Sequence, residues 1–429
     1  MTLEKFLQDK ENRIIYQSKL MKKYNKTLFT LKCNFPGEEK NTILSNNIVL
    51  FFHKEIMETL GKEIIYSEKY VNLEGITYIY ISNLEKKELK NIAVSLESEH
   101  EIGRLVDIDV YETSIKSISR KDLNLEARKC YVCSEIAKYC SRSKKHKLEE
   151  LIEHIENKFT NFFARYVSKK ALKATIYELV TYPSYGLVSH VNQGSHKDMN
   201  VYTFIESSFV IEEAFYQVAK LSYSSLDIDK CFFRARQIGK NIERKMFAVT
   251  KGINTHKGLI FLMLIVIIAI SKSYYYSKGI DSLEEYIKII SKDILNDFRN
   301  LEKKEKLTNG EKIYLKHGIT GVRGEVYKGL SSLFRIFIPY YKKQLKKYDK
   351  NKANYLTLIY LMSIIDDTTI INRHSMEMLN LVKKKSKNLL ETEDYFLLHE
   401  FEKECINKNI SPGGSADLLA IIIFIESMY

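Results

Sequence analysis

"GINTHKGLIFLMLIVIIAI", residues 252–270, is the stretch that decides the fold of this 429-residue chain. Twelve consecutive apolar residues, Leu259 to Ile270, follow a polar and cationic entry and are closed by Ser271 and Lys272. A membrane-spanning helix needs roughly 20 apolar residues. The run is therefore too short for an anchor, and it predicts the buried body of a central helix in an α-helical domain.

The composition favours two domains, long helices and anionic partners. Four prolines and 17 glycines are few for a loop-rich fold of this length. A net charge of +13 suggests phosphates, nucleotides or nucleic acid as partners, although lysines alternate with glutamates in segments such as "KLEELIEHIENKF". The N-terminus is charged from its fourth residue, unlike a signal peptide, so we expect a cytoplasmic protein without a membrane partner.

Four short segments rich in β-branched and aromatic residues predict strands in about the first 120 residues: "KTLFTLKCNF", "KEIIYSEKYVN", "GITYIYISN" and "GRLVDIDVY". Helical patterns at residues 41–60 and 84–97 separate them. The order strand, helix, strand, strand, helix, strand is that of a ferredoxin-like α+β sandwich with a mixed or antiparallel sheet. We predict a multidomain chain, with this α+β domain at residues 1–156 and a larger all-α domain at residues 157–429.

Five short breaks interrupt the helical pattern with glycine or small residues, and most carry His, Lys or Arg close to a helix start: "TYPSYGLVSHVNQGSHKDM", "TKGINTHKG", "KHGITGVRGE", "DDTTIINRHS" and "NISPGGSAD". Helix starts bind anions through free N–H groups and the helix dipole, so five such breaks predict a polyphosphate site. Ordinary helix capping or a surface ion pair explains any single break equally well. The candidate phosphate-binding residues are His196, Lys197, Thr255, His256, Lys257, Arg323, Arg373, Gly413, Gly414 and Ser415, and the candidate metal-binding carboxylates are Asp198, Asp366 and Asp367.

The segments "TYPSYGLVSHVNQGSHKDM", "GINTHKGLIF", "NGEKIYLKHGITGVRGE" and "SPGGSADLLA" resemble the motifs of triphosphoribosyl-dephospho-CoA synthases, from about Thr175 to the C-terminus. "DDTTIINRHS" departs from the pattern, because no glycine-rich continuation follows Arg373. The resemblance implies that the 2'-hydroxyl of 3'-dephospho-CoA displaces adenine from the ribose of ATP.

The same resemblance implies residue roles. ATP's triphosphate requires Mg²⁺ and cations, for which Lys197, Lys257 and Arg323 are the candidates. An oxocarbenium-like centre favours nearby carboxylates, and the hydroxyl requires a base. We expect Asp198 with Glu206 to form one catalytic carboxylate set, and Glu325 with Asp367 to form another.

"GRLVDIDVY" is the clearest feature of the N-terminal part. Alternate residues of a strand share a face, so Asp107 and Asp109 point the same way. Two carboxylates on one strand face can hold Mg²⁺ for phosphoryl or nucleotidyl transfer. An edge strand with solvated aspartates is the alternative.

Three cysteines and a histidine follow the strand in the order C-x₂-C-x₆-C-x₅-H, as Cys130, Cys133, Cys140 and His146. This set could be a Cys₃His zinc site. If "VCSEIAKYC" is one helix, however, Cys133 and Cys140 lie two turns apart, at about 10 Å. We therefore expect buried thiols on a helix face and do not favour zinc.

The segments "EIGRLVDIDVY" and "RKCYVC" resemble apo-citrate lyase phosphoribosyl-dephospho-CoA transferases, most strongly from His100 to Leu151. The resemblance implies that a serine of the citrate lyase acyl-carrier subunit attacks the triphosphoribosyl intermediate and that pyrophosphate leaves. Asp107 and Asp109 would serve catalysis and bind metal. The phosphates would contact Arg104, Arg120, Arg128 and Arg142.

Together these features predict a bifunctional transferase that makes and attaches a prosthetic group. Two alternatives remain at this point: a basic RNA-binding protein, and a kinase or nucleotidyltransferase that uses ATP conventionally. RNA binding predicts basic residues clustered on one face, whereas here they alternate with carboxylates. We therefore expect no nucleic-acid partner.

Overall fold

The computed structural model of the protein describes residues 3–113 and 116–429. It forms two compact units. The first comprises Met1–Phe162 with Tyr275–Ser277, and the second comprises Phe163–Tyr274 with Lys278–Tyr429. The boundary predicted between residues 156 and 157 falls inside the long helix that runs through this division.

A four-stranded antiparallel sheet forms the centre of the first unit. Its elements in chain order are α1 (Leu3–Tyr24), β1 (Thr27–Cys33), α2 (Ile43–Leu60), β2 (Ile64–Asn72), β3 (Gly75–Ser82), α3 (Lys86–Glu99) and β4 (Val106–Val110). The strands lie in the order β2-β3-β1-β4, and each neighbouring pair is antiparallel. The predicted element order and the α+β class are confirmed.

Helix α1 was not predicted, and it adds a layer to the sandwich. Its Leu20 packs with Leu28 of β1 and Ile81 of β3 on one face of the sheet. On the other face, Phe29 stacks on Tyr80 with ring centroids 4.5 Å apart. Because both faces are covered, every residue of β3 is buried. The sequence of a strand that is covered on both faces is mostly apolar and does not alternate between apolar and polar residues.

The segment after β4 has little regular structure. Residues 116–147 contain the short helix α4 (Ala137–Arg142), a 3₁₀ turn at Lys121–Leu123 and two isolated bridges. The second bridge joins Lys129 to Ile136 and closes a tight loop.

The second unit is built from helices. These are α5 (Leu148–Leu179, which begins in the first unit), α6 (Val201–Ser222), α7 (Ile228–Val249), α8 (Lys257–Tyr275), α9 (Leu283–Ser291), α10 (Asn309–His317), α11 (Gly321–Tyr327), α12 (Ile338–Lys347), α13 (Lys350–Ile364), α14 (Thr368–Arg373), α15 (Met376–Thr392), α16 (Tyr395–Asn407) and α17 (Gly413–Met428). Residues 163–429, all of which the structure describes, contain no strand, so the prediction of a larger all-α part is confirmed.

Helices α8 and α17 supply much of the core of this unit. Every residue of α8 from Leu262 to Ser273 is buried, as is every residue of α17 from Leu418 to Ile425. By length and composition α8 could cross a membrane, but 78% of its most apolar 18-residue window is buried inside the protein. The prediction of a buried central helix over this run is therefore confirmed.

Shortening one side chain in the middle of α8 tests this role. Ile265 is 1% exposed, so Ile265→Ala leaves a cavity and is expected to cost about 2–5 kcal/mol of unfolding free energy. Chemical denaturation followed by far-UV circular dichroism measures the change. Ile289→Ala, at a position 37% exposed, is the matched control and should cost less than about 1 kcal/mol. Equal losses for the two variants would contradict a core role for α8.

Candidate functional sites

The two aspartates of β4 lie on one face of the sheet, as the alternation predicted. Val106, Ile108 and Val110 are buried, whereas Asp107 and Asp109 are half-buried.

Strand β1 completes this acidic face with a lysine. Lys32 of β1 lies opposite Asp107 in the register, and its Nζ is 3.3 Å from Oδ2 of Asp109. Burial alone would raise the pKa of Asp107, but Arg128 and Lys32 outweigh it and hold that pKa below its ordinary value. The face is therefore an anionic pair balanced by adjacent cations.

A buried glutamate organises the arginines beside this pair. Glu97 of α3 is 1% exposed, and its Oε1 accepts a hydrogen bond of 2.8 Å from the N–H of Ile108. Arg128 donates to Glu97 and, at 2.7 Å, to Oδ1 of Asp107. Nη1 of Arg120 lies 3.5 Å from Oε2 of Glu97. Two arginines thus compensate a carboxylate that would be costly to bury alone.

Sequence reasoning missed Glu97, although a signal was present. It lies four residues after the buried Ala93 and eight after the buried Leu89, on the apolar face of α3. A glutamate on the buried face of a helix is usually paired with another group, for a structural or a functional reason.

The other two predicted arginines have different surroundings. Arg104 donates to the carbonyl of Lys129, and its guanidinium lies 5.6 Å from the ring centroid of Tyr131. Arg142 is exposed in the last turn of α4. The structure therefore brings Arg120 and Arg128 to the buried carboxylate, while Arg104 supports the loop that carries Arg128.

The expected distance between the cysteines is wrong. Helix α4 begins only at Ala137, so Cys133 lies in the preceding turn and the chain folds back. The Sγ atom of Cys140 is 3.9 Å from that of Cys133 and 3.4 Å from that of Cys130. One ligand atom each from these cysteines and His146 lies within 4.8 Å of the others.

The start of α8 lies against a carboxylate of α17. A Cβ added to Gly258, in the first turn of α8, would sit 2.2 Å from Oδ2 of Asp417, so only glycine leaves room for that carboxylate. Burial raises the pKa of Asp417 well above its ordinary value, and the nearby Glu178 and Asp367 raise it further. Burial also raises the pKa of Glu178, in the last turns of α5, to about 8.

These perturbed carboxylates mark a candidate site that sequence reasoning located only in part. Asp417 interrupts the otherwise apolar run of "SADLLAIIIF", and a carboxylate within an apolar segment could have identified it as a candidate site residue. Glu178, by contrast, stands in a helix of mixed polarity and looks like a surface residue.

Asp367 joins the starts of two helices. It is 1% exposed and caps α14 by accepting a 2.9 Å hydrogen bond from the N–H of Thr369. It also accepts from the N–H of Gly414 at 3.3 Å, and from the N–H and Oγ of Ser415 at 2.8 and 3.0 Å. A Cβ added to Gly414 would lie 3.2 Å from Asp367 Oδ1. Both carboxylate oxygens are thus used to hold α14 and α17 together.

In the "NTHKG" segment, the side chains of Thr255 and His256 meet at Ser207, whereas Lys257 points to solvent. His256 is 3% exposed, its Nδ1 contacts Oγ of Ser207, and burial lowers its pKa to about 3, so the ring is neutral at pH 7. Oγ1 of Thr255 lies 2.8 Å from the same serine oxygen. Lys257 is exposed, with its Nζ 2.5 Å from Oε1 of Glu243.

The "QGSHKD" loop reaches the start of α17. Nε2 of His196 lies 3.1 Å from Oγ of Ser411, and Nη2 of Arg373 lies 3.1 Å from Nδ1 of His196. Burial and the cation of Arg373 outweigh Asp198 and lower the pKa of His196 to about 4. Asp198 and Lys197 are exposed beside this group.

The remaining predicted residues have these partners. Nε of Arg323 lies 3.2 Å from Oδ2 of Asp297, and its guanidinium lies 5.9 Å from the ring centroid of Phe261 in α8. Glu325 accepts a hydrogen bond of 2.9 Å from Ser332. Asp366 pairs with Lys383 at 2.5 Å, and Glu206 is exposed on α6.

The five breaks in the helical pattern adjoin one another. Gly258 contacts Asp417, Ser415 contacts Asp367, and His196 contacts Ser411. The fifth break is joined through Gly321, where an added Cβ would lie 2.9 Å from Thr368. The starts of α8, α14 and α17 and the loop before α11 therefore form one polar region.

The chain thus combines a carboxylate and arginine face on an α+β unit with a helical unit whose helix starts converge. Residues 164–429 match the family described as CitG, ATP:dephospho-CoA triphosphoribosyl transferase, and residues 1–162 match CitX, apo-citrate lyase phosphoribosyl-dephospho-CoA transferase. The chain belongs to the CitG family and carries a CitX-family segment before it, as a fusion of two transferases.

Two relatives match the whole chain, and a third matches part of it. Protein CitXG of Haemophilus influenzae is 30% identical over 458 residues, which cover 100% of this chain and 96% of the relative. Protein CitXG of Leuconostoc mesenteroides subsp. cremoris is 29% identical, with coverage of 100% and 97%. The 2-(5''-triphosphoribosyl)-3'-dephosphocoenzyme-A synthase of Haemophilus ducreyi is 31% identical over 69% of this chain and 99% of its own length.

Adding one methyl group at Gly258 tests the contact with Asp417. Because the added Cβ would lie 2.2 Å from Oδ2, Gly258→Ala is expected to lower the unfolding free energy by about 1–3 kcal/mol. Denaturant unfolding measures this. Gly279→Ala is the control, since an added Cβ there meets nothing within 4 Å and the backbone φ is −91°. A neutral or stabilising effect of Gly258→Ala would contradict the placement of Asp417.

The raised pKa of Glu178 predicts a pH-dependent stability. Its folded-state pKa of about 8 exceeds the ordinary 4.5, so the folded chain keeps a proton that the unfolded chain releases. This contribution is fully present below about pH 4.5 and is lost as the pH rises through 8. Glu178→Gln keeps a neutral side chain, so its stability relative to wild type should increase over that window by on the order of 2 kcal/mol.

The control for this experiment is Glu285→Gln, at an exposed position of α9. Its stability relative to wild type should not change over the same window. If the stability difference between Glu178→Gln and wild type is also independent of pH, Glu178 ionises normally in the folded protein.

Proposed function

We propose that the region around Glu178, Asp417 and Asp367 is the site where the second unit makes 2'-(5''-triphosphoribosyl)-3'-dephospho-CoA from ATP and 3'-dephospho-CoA. In this reaction the bond between the ribose anomeric carbon of ATP and adenine breaks, and a bond from that carbon to the 2'-oxygen of dephospho-CoA forms. The observation that carries the placement is the carboxylate of Asp417 against Gly258, at the start of α8 and beside a second carboxylate with a raised pKa.

Glu178 and Asp417 suit the chemistry at the anomeric carbon. The attacking hydroxyl must lose a proton, and a carboxylate with a pKa near 8 is a much better acceptor at neutral pH than an ordinary one. Once ionised, the pair also stabilises the positive charge that develops on the ribose ring. Asp367 holds the helix starts around them, because both of its oxygens already accept hydrogen bonds.

The triphosphate would lie along the exposed helix starts. Lys257 and Arg323 supply fixed cations there, and Arg373 supplies a third beside His196. His196 and His256 act as neutral hydrogen-bonding groups at pH 7, since burial lowers both of their pKa values. The start of α8 adds N–H donors for phosphate oxygens, whereas at the start of α17 the N–H groups of Gly414 and Ser415 already donate to Asp367.

The residues beside His196 fit a magnesium ion that accompanies ATP. Asp198 is an exposed carboxylate whose Oδ1 lies 4.0 Å from Nδ1 of His196, and Mg²⁺ is commonly held by one or two carboxylates together with substrate phosphates. When bound, Mg²⁺ offsets the negative charge of the triphosphate. The catalytic or metal-binding roles that the sequence suggests for Glu206, Glu325 and Asp366 stay predictions.

The first unit would attach the product to the acyl-carrier subunit of citrate lyase. The serine oxygen of the carrier bonds to the α-phosphorus, and the bond from that phosphorus to the pyrophosphate oxygen breaks. Asp107 and Asp109 are two carboxylates on one strand face and fit Mg²⁺, which would neutralise phosphate charge when bound. Arg128 and Lys32 lie beside them and suit the leaving pyrophosphate.

The proposed partners are therefore ATP, 3'-dephospho-CoA and the carrier protein, and we place the reaction in the cytoplasm, where these substrates are found. Nucleic acid and membranes have no part in this proposal. The net charge of +13 instead serves substrates that carry several phosphates.

The reaction is tested by incubating the full chain with ATP, Mg²⁺ and 3'-dephospho-CoA and separating the products by chromatography. Free adenine should appear in step with consumption of dephospho-CoA. Release of ADP or AMP without adenine would overturn the proposal, because it would show conventional phosphoryl or nucleotidyl transfer.

Two variants should separate the two activities. Asp417→Asn removes one carboxylate at the anomeric carbon and should lower the rate of adenine release by about 10²–10⁴-fold. It should leave attachment normal when the triphosphoribosyl intermediate is supplied. Asp107→Asn should leave adenine release normal and lower the rate of attachment to the carrier, which mass spectrometry of the carrier measures directly. If either variant lost both activities while its circular dichroism spectrum stayed normal, the assignment of one activity to each unit would be wrong.

A further inference from the structure

The segment at residues 119–147 of the first unit lacks a hydrophobic core of its own. All of these residues are described, and Cys140 is the only one that is buried. Large apolar side chains are left exposed, including Val132 at 38%, Ile136 at 39% and Tyr139 at 63%. A segment that buries so little apolar surface requires another source of order, such as a metal or a covalent cross-link.

Four metal-ligating side chains converge at its one buried point. In a tetrahedral zinc site with Zn–S bonds of about 2.3 Å, ligand atoms are about 3.8 Å apart. The Sγ separations of 3.4 Å (Cys130 to Cys140) and 3.9 Å (Cys133 to Cys140) bracket this value. The fourth ligand atom, from His146, completes a set whose members all lie within 4.8 Å of one another.

The backbone explains why the ligands meet. The N–H of Cys130 donates to the carbonyl of Glu135 at 2.7 Å, and the bridge between Lys129 and Ile136 closes a loop that presents Cys130 and Cys133 together. Helix α4 then brings Cys140 back to this loop.

The histidine has the second-layer partner that a zinc ligand normally has. Nδ1 of His146 lies 3.4 Å from Oε1 of Glu150, in the first turn of α5. Among the described residues, Nε2 of His146 is buried and has no hydrogen-bond partner. A carboxylate on one ring nitrogen, with the other nitrogen available to a metal, is the usual arrangement of a zinc-bound histidine.

A disulfide explains the geometry less well. It would join two of the three thiols and leave the third thiol and the imidazole nitrogen without a partner. Three thiolates and one imidazole in tetrahedral positions instead match the preference of Zn²⁺.

We propose that Cys130, Cys133, Cys140 and His146 bind one structural Zn²⁺ ion, with Glu150 orienting the histidine. The ion holds the loop that carries Arg128 against β4, since the N–H of Ala137 donates to the carbonyl of Arg128 at 2.8 Å. Zinc therefore acts on Asp107 through Arg128 and has no contact with the substrate. This proposal does not rest on the assigned reactions.

The test begins with the unmodified full chain, produced in zinc-containing medium and dialysed against metal-free buffer. Elemental analysis should find about one zinc per chain, and replacement with Co²⁺ should give the visible absorption of tetrahedral thiolate-bound cobalt. Absence of zinc together with absence of the cobalt spectrum would overturn the proposal. So would iron with cluster absorption, or thiol titration that shows a disulfide in this segment.

Variants then assign the ligands. Cys133→Ser should lower zinc affinity by at least tenfold, and Glu150→Gln by about 10–100-fold through the histidine. Cys231→Ser, at a buried cysteine of α7 outside the cluster, should retain full zinc content. If Cys133→Ser retained wild-type zinc affinity, the assigned ligand set would be wrong. Because zinc content of the unmodified chain is read first, a variant that fails to fold does not decide the outcome.

Discussion

The approach of the Asp417 carboxylate to the backbone of Gly258 is the constraint on which the second unit depends. Helices α8 and α17 are apolar over most of their length, and burial of apolar surface has no direction of its own. Such helices could slide past one another at little cost. The contact between Gly258 and Asp417 at their starts fixes their register, because only glycine leaves room for the carboxylate there. Asp367 performs the same task for α14 and α17 through its hydrogen bonds to both helix starts.

The two units affect the pKa of half-buried carboxylates in opposite ways. In the first unit, Arg128 and Lys32 outweigh the effect of burial and keep Asp107 ionised. In the second unit, neighbouring carboxylates add to the effect of burial, and the pKa of Asp417 rises. An ionised pair beside cations suits phosphate and metal, whereas carboxylates with raised pKa values suit proton transfer. The difference in environment therefore parallels the two reactions that we assign to the two units.

Local patterns predicted much of the fold and part of the sites. Period-two alternation placed Asp107 and Asp109 on one face, and the length of the apolar run identified α8 as a core helix. Helix α1 was missed, because the sequence does not reveal that the sheet needs a cover on its second face. The cysteine distance was wrong, because the sequence cannot show that α4 starts after Cys133. Glu178 and Glu97 were missed because a single glutamate in a helix is usually solvated.

Apart from α1, the sequence by itself determined the main element types of the first unit and their order, the helical class of the second, the two family resemblances and the set of residues able to bind phosphate. The element types and the candidate residues follow from spacing along the chain, which sets strand faces, helix lengths and helix starts, whereas the resemblances depend on the quoted motifs. Only the tertiary structure decided which of those residues meet. In the structure Asp367 holds two helix starts, Glu178 and Asp417 lie near each other in a partly buried region, and three cysteines and His146 converge. Partners far apart in sequence are chosen by packing, and burial among them sets the protonation on which their chemistry depends.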